Sequence, residues 1–115
     1  MLIAVNGQPL PDSPLRVQVY PHRYRFLFSF GSHGKAQRQF DFPCDITINE
    51  KTGDILVTDY ENNRVQVFSS AGTYLKTMTA KELVEPRSVA FTKSNDVLVV
   101  ASHKIFCFIE SGKLV

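Results

Sequence analysis

The sequence has no tryptophan, only two cysteines, and no apolar run long enough to cross a membrane as a helix. Each shortage removes a class of protein. Cys44 and Cys107 lie too far apart for a Cys-x-x-Cys site, and His22, His33 and His103 sit in three separate segments, so no metal site is expected in this chain. The two cysteines also fall at unrelated positions, which predicts buried, reduced thiols rather than a disulfide. The opening Met1-Leu-Ile-Ala-Val5 has no basic segment before it and runs directly into Asn6-Gly7, so it fails as a secretion signal. Gly31-Ser-His-Gly34 lacks the Lys-Ser/Thr of a phosphate-cradling loop and reads as a turn. No convergent nucleophile, acid and base can be assembled, and no catalytic residue is expected.

Acidic residues are missing from one stretch. Between Ser13 and Phe40 there is no Asp or Glu, while Arg16, Arg23, Arg25, Lys35 and Arg38 contribute five positive charges against a formal total of +2. The rest of the chain therefore sums to −3. With 43% hydrophobic and 21% charged residues, nine Phe and four Tyr, the composition is that of an ordinary β-rich chain rather than a disordered or membranous one.

What is present is a repeat. Phe40-Asp-Phe-Pro43, Asp45-Ile-Thr-Ile-Asn49, Gly53-Asp-Ile-Leu-Val-Thr-Asp59, Asn63-Arg-Val-Gln-Val-Phe68 and Gly72-Thr-Tyr-Leu75 return about 43 positions later. The second copy reads Leu83 to Pro86, Ser88-Val-Ala-Phe91, Asn95-Asp-Val-Leu-Val-Val100, Lys104-Ile-Phe-Cys-Phe108 and Gly112-Lys-Leu114. Four short strand signals in about 40 residues mark one β-propeller blade, a four-stranded antiparallel sheet that buries its faces only against neighbouring blades. Ile46, Ile48, Ile55, Val57, Val65, Val67, Val89, Phe91, Val97, Val99, Ile105 and Cys107 are the expected packing residues between blades.

Gly-Asp-Ile-Leu-Val-Thr-Asp followed by Asn-Asn-Arg-Val-Gln-Val-Phe resembles the NHL repeat. The second copy departs from it, because Ala101-Ser-His-Lys104 replaces the Asp and the Asn-x-Arg. Residues 1–20, with a turn at Asn6-Gly7 and a Val17-x-Val19 strand, resemble the final hairpin of a filamin-type immunoglobulin domain. That order is similar to the filamin-NHL members of the tripartite-motif family. The expected fold is all-β: a partial NHL-type propeller of four-stranded antiparallel blades, preceded by the last hairpin of an immunoglobulin-like sandwich. The expected division is 1–20 for the sandwich remnant, 21–39 for a linker and the outer strand of a preceding blade, 40–82 for one blade and 83–115 for a second, truncated one. The repeat count reads the chain as a fragment of a longer protein.

The resemblance also places the loop from Gly31 to Pro43 on the same rim as the loop from Asp59 to Arg64. Lys35, Gln37, Arg38, Tyr60, Asn62 and Arg64 would then share one surface, where cations beside amide and aromatic groups can hold RNA or a protein. Asp59 and Arg64 bracket the second loop and are expected to brace it. The implied function is a non-catalytic recognition module, reading a protein substrate or single-stranded or structured RNA, within a cytoplasmic RING-type ubiquitin ligase. Zinc would be needed only by RING and B-box regions upstream, and self-association would use a coiled coil that is also elsewhere. No cofactor and no membrane contact are expected here. The alternative is a fragment of a metal-dependent six-bladed propeller enzyme of the lactonase or lyase type, for which Asp45, Asn49 and Ser88 are the nearest candidate ligands.

Overall fold

The computed structural model describes residues 2–6, 16–20, 28–109 and 112–115. Over these residues the chain forms twelve strands in antiparallel sheets, apart from one short parallel pair. The first sheet has the order β1 (Leu2–Asn6), β2 (Arg16–Tyr20), β3 (Phe28–Phe30). A short parallel pair follows, β4 (Ser32–His33) with β5 (Gln39–Phe40). The first complete blade is β6 (Pro43–Ile48), β7 (Ile55–Asp59), β8 (Arg64–Phe68) and β9 (Tyr74–Met78), a four-stranded meander. The second is β10 (Pro86–Phe91), β11 (Val97–Ala101) and β12 (Lys104–Phe108). A single antiparallel bridge between Phe108 and Leu114 stands where the first blade has β9.

Each blade opens on a proline. Pro43 starts β6 and Pro86 starts β10, the first residue of a strand being a place where a missing N–H costs no ladder bond. Both opening strands carry a bulge just after the proline, between residues 43 and 45 and between 86 and 88. The first two strands of each blade then join through matching turns. In one, Gly53 at φ 81° closes the turn, its N–H donating to Asn49 O at 2.7 Å. In the other, Asn95 takes the same left-handed role at φ 67° and donates to Thr92 O at 3.0 Å.

Strand alternation sends two apolar sets to opposite faces of the first blade. Ile55, Val57 and Phe68 face the first sheet and pack with Val17, Phe30 and Phe40. The Phe68 ring lies 4.6 Å from Phe30 and 5.7 Å from Phe40, centroid to centroid. Leu56, Val65, Val67 and Met78 face the second blade and pack with Leu83, Val89, Val97, Val99, Phe106 and Phe108.

Several expectations need correction in detail. Ile105 is 70% exposed and Cys107 only partly buried, whereas Phe106 and Phe108 fill the β12 side of the core. Ile105 lies at the repeat position of Val65, which is buried because the second blade covers it; among the described residues no sheet covers the corresponding face of the second blade. Cys44 is also exposed rather than buried, and both cysteines are free. At the start of the chain, β3 is hydrogen-bonded to β2, so strands on either side of residue 20 share one sheet. β1 lies beside β6, much as β6 lies beside β10. Residues 7–15, which carry most of the immunoglobulin-like resemblance, and residues 24–27 of the expected outer strand fall outside the described residues.

Candidate functional site

Two loops on one rim are stitched together by a buried carboxylate and a guanidinium. Asp59, fully buried at the end of β7, accepts from Asp41 N at 2.7 Å, Asn62 Nδ2 at 2.9 Å and Arg64 Nε at 2.8 Å. Arg64 opens β8, directly opposite Asp59 in the ladder, and its remaining donors cross to the other loop. They reach Lys35 O at 2.8 Å, Ala36 O at 2.9 Å and Gln39 O at 2.8 Å. Asn62 Nδ2 also donates to Gly34 O at 2.8 Å. Two residues further along the same strand, the buried Gln66 accepts from Arg38 N at 3.0 Å and donates to Gln39 O at 2.7 Å. The loop from Gly31 to Pro43 thus takes its shape from side chains of the next blade.

Asn62 and Arg64 join the two loops that carry the six expected rim residues, and those six residues are in different states. Lys35, Gln37 and Arg38 are exposed, with the Arg38 guanidinium 5.7 Å above the Phe30 ring. Asn62 and Arg64 have their donors turned inward onto the loop, and the Arg64 side chain is only 14% exposed. A charge reversal at Arg64 would therefore break the loop before it reported on any ligand.

Tyr60 turns away from that loop toward the second blade. It begins a 3-10 turn, Tyr60–Asn62, which closes on Asn63 in the left-handed region at φ 53°. Its hydroxyl donates to Glu85 and its ring lies beneath Arg87, whose guanidinium carbon is 5.7 Å from the centroid. The hydrogen bond to Glu85 raises the Tyr60 hydroxyl above its ordinary pKa, with Arg87 pulling the other way. Phe42 stands 5.9 Å from Tyr60, tilted by 57°, and is 46% exposed at a φ of 59°. A bulky residue in the left-handed region is strained by about 1–3 kcal/mol, and such strain persists where the surroundings enforce it. Here Tyr60 N donates to Phe42 O at 3.2 Å and Glu61 N to Asp41 O at 3.0 Å, fixing that backbone.

The rim continues into the second blade. Asn63 Oδ1 accepts from Glu85 N at 3.0 Å, and Ser102 Oγ donates to Val84 O at 2.8 Å. The Ala101-to-Lys104 connection is a two-residue turn with Ser102 and His103 both at positive φ, a hairpin geometry that closes without the carboxylate brace of the first blade. A groove of about 400 Å³ lies here, lined by Glu85, Arg87, Val100, Ser102 and His103. Phe42 and Arg87 were missed by sequence reasoning. Phe42 precedes Pro43 and Arg87 follows Pro86, and nearness to a blade-opening proline was the available signal.

Two of the three candidate ligands of the enzyme alternative are otherwise engaged, and the third, Ser88, is an exposed residue of β10. Asp45 Oδ1 accepts from Ile46 N at 2.8 Å and Oδ2 from Val89 N at 3.0 Å, tying the two blades together. Asn49 lies at the far end of the same strand, where its Oδ1 accepts from Lys51 N at 2.9 Å.

Residues 40–68 match the family model of the NHL repeat. Protein brain tumor of Drosophila melanogaster is 26% identical over 119 aligned residues, which take in 97% of this chain and 12% of that protein. B-box type zinc finger protein ncl-1 of Caenorhabditis elegans is 34% identical over 53% of this chain, and E3 ubiquitin-protein ligase TRIM71 of Rattus norvegicus is 34% identical over 63%. The chain spans about a tenth of the length of these relatives, between 7% and 12%. Among solved structures, a protein of unknown function from Bacteroides caccae superposes with a TM-score of 0.64 at 22% identity, over 89% of this chain and 37% of that one, a likeness of fold.

Proposed function

With an NHL repeat at its centre and the strand pattern of partial propeller blades around it, we propose that this chain is a non-catalytic recognition segment whose rim binds single-stranded RNA. The observation that carries the reading is Phe42: a half-exposed ring in a strained backbone, fixed beside Tyr60, whose own ring lies beneath Arg87. A flat apolar face next to a guanidinium stacks on an unpaired base, and each such stack contributes about 1–3 kcal/mol. Lys35 and Arg38 lie along the same rim and supply charge for phosphates, while Arg64 and Asp59 hold the loop that presents them. Glu61 and Glu85 dilute the positive field, which favours contact through a few bases over wrapping of a long backbone.

Similarity to proteins named as a ubiquitin ligase and a B-box zinc finger protein supports placing this segment in a cytoplasmic polypeptide of the tripartite-motif kind. Zinc would belong to its RING and B-box regions, self-association to its coiled coil, and ligase chemistry to the RING. The present residues would choose what is bound.

The test is fluorescence anisotropy with single-stranded RNA. Phe42→Ala should weaken binding by about 5- to 150-fold, the equivalent of about 1–3 kcal/mol of stacking. Lys35→Ala should lower the salt dependence by about one phosphate contact. Absence of RNA binding at moderate salt by a correctly folded protein would refute the proposal and leave protein docking as the use of this rim.

A further inference from the structure

At the end of the blades opposite the rim, the seam between them contains a small polar cavity. It measures about 40 Å³ and is walled by Asn49, Asp54 and Lys76 of the first blade and by Asn95 of the second, with Leu56 and Phe91 among the apolar walls. Asn95 is 8% exposed, and its Nδ2 is buried without a hydrogen-bond partner among the described residues. A buried amide donor left unpaired is rare in folded proteins, and it marks a place where a ligand oxygen belongs.

We propose that this seam is an ordered water site, with Asn95 Nδ2 as its donor from the second blade. Size fits the assignment. At about 10–15 Å³ of accessible volume per water, the cavity accommodates roughly three molecules. Charge fits as well. Asp54 and Lys76 on the same wall are of opposite sign, so the site favours a neutral ligand that both donates and accepts over an ion. Besides Asn95, the polar residues Asn49, Asp54 and Lys76 line the site, where an ordered water needs two to four partners.

The repeat gives the site its logic. Gly53 and Asn95 occupy the same left-handed turn position in successive blades, at φ 81° and 67°. Glycine meets the backbone requirement alone, whereas asparagine meets it and adds a side chain directed into the seam. Direct bonds already join the blades elsewhere, from Val89 N to Asp45 and from Glu85 N to Asn63. The water site would complete the polar link at the remaining end.

Crystals of the protein diffracting well enough to resolve waters provide the test. The expected result is a water oxygen within hydrogen-bond distance of Asn95 Nδ2 and of at least one of Asn49, Asp54 or Lys76. In solution, the Asn95 side-chain amide protons, assigned by their disappearance in Asn95→Gly, should show a cross-peak to long-lived water. A dry cavity, a bound ion in place of water, or an Asn95 amide rotated onto a protein oxygen would overturn the proposal.

Discussion

Replacing Asp59 by Asn should cost far more than its small change in shape suggests. The carboxylate accepts three hydrogen bonds in a site sealed from solvent, and one donor is the Arg64 guanidinium. An amide oxygen can keep one or two of these bonds, but Arg64 would then hold its charge against neutral carbonyls alone. Removing one partner of a buried ion pair destabilises by about 3–5 kcal/mol, and the slight exposure of Arg64 puts Asp59→Asn near the lower end. Asp59→Ala also strands Asp41 N and Asn62, adding roughly 1 kcal/mol for each. The control is Lys104→Ala, which breaks a 3.5 Å pair with Glu82 between two well-exposed side chains and should cost less than about 1 kcal/mol. Urea unfolding measures all three, and hydrogen exchange at Asp41 N reports loop opening directly. If Asp59→Asn costs no more than Lys104→Ala, the brace contributes nothing and the account of how the rim is held is wrong.

Two further outcomes follow from the same contacts. Val65→Lys, at a fully buried position between blades, should unfold the protein or cost more than about 3 kcal/mol, whereas Ile105→Lys, its 70%-exposed repeat equivalent, should be nearly neutral in thermal unfolding of this chain. Equal effects would show that repeat position, rather than the covering sheet, sets the cost. Desolvation pushes the Cys44 thiol above its ordinary pKa, with Arg87 opposing the shift, so the thiol stays protonated at neutral pH. Its alkylation by iodoacetamide should be slower at pH 7.5 than that of an unhindered thiol and should climb as the pH rises through the elevated pKa. Rapid modification at neutral pH would contradict this.

The sequence by itself determined the repeat: two prolines about 43 positions apart, at Pro43 and Pro86, and alternating apolar residues that read as strands. These are local features, each set by the conformational limits of one residue or by a period of two, so they need no knowledge of neighbours. The pairing of Asp59 with Arg64 across the ladder belongs with them, because the strand register fixes it.

What only the tertiary structure decided is which side each residue serves. Periodicity assigns Ile105 and Val65 the same place, yet the presence of a covering sheet buries one and exposes the other. Sequence likewise counts Arg64 among the rim cations, while packing turns its donors inward and leaves Phe42, Tyr60 and Arg87 as the more distinctive surface. Burial and hydrogen-bond commitment depend on atoms supplied by distant segments, and no local pattern encodes them.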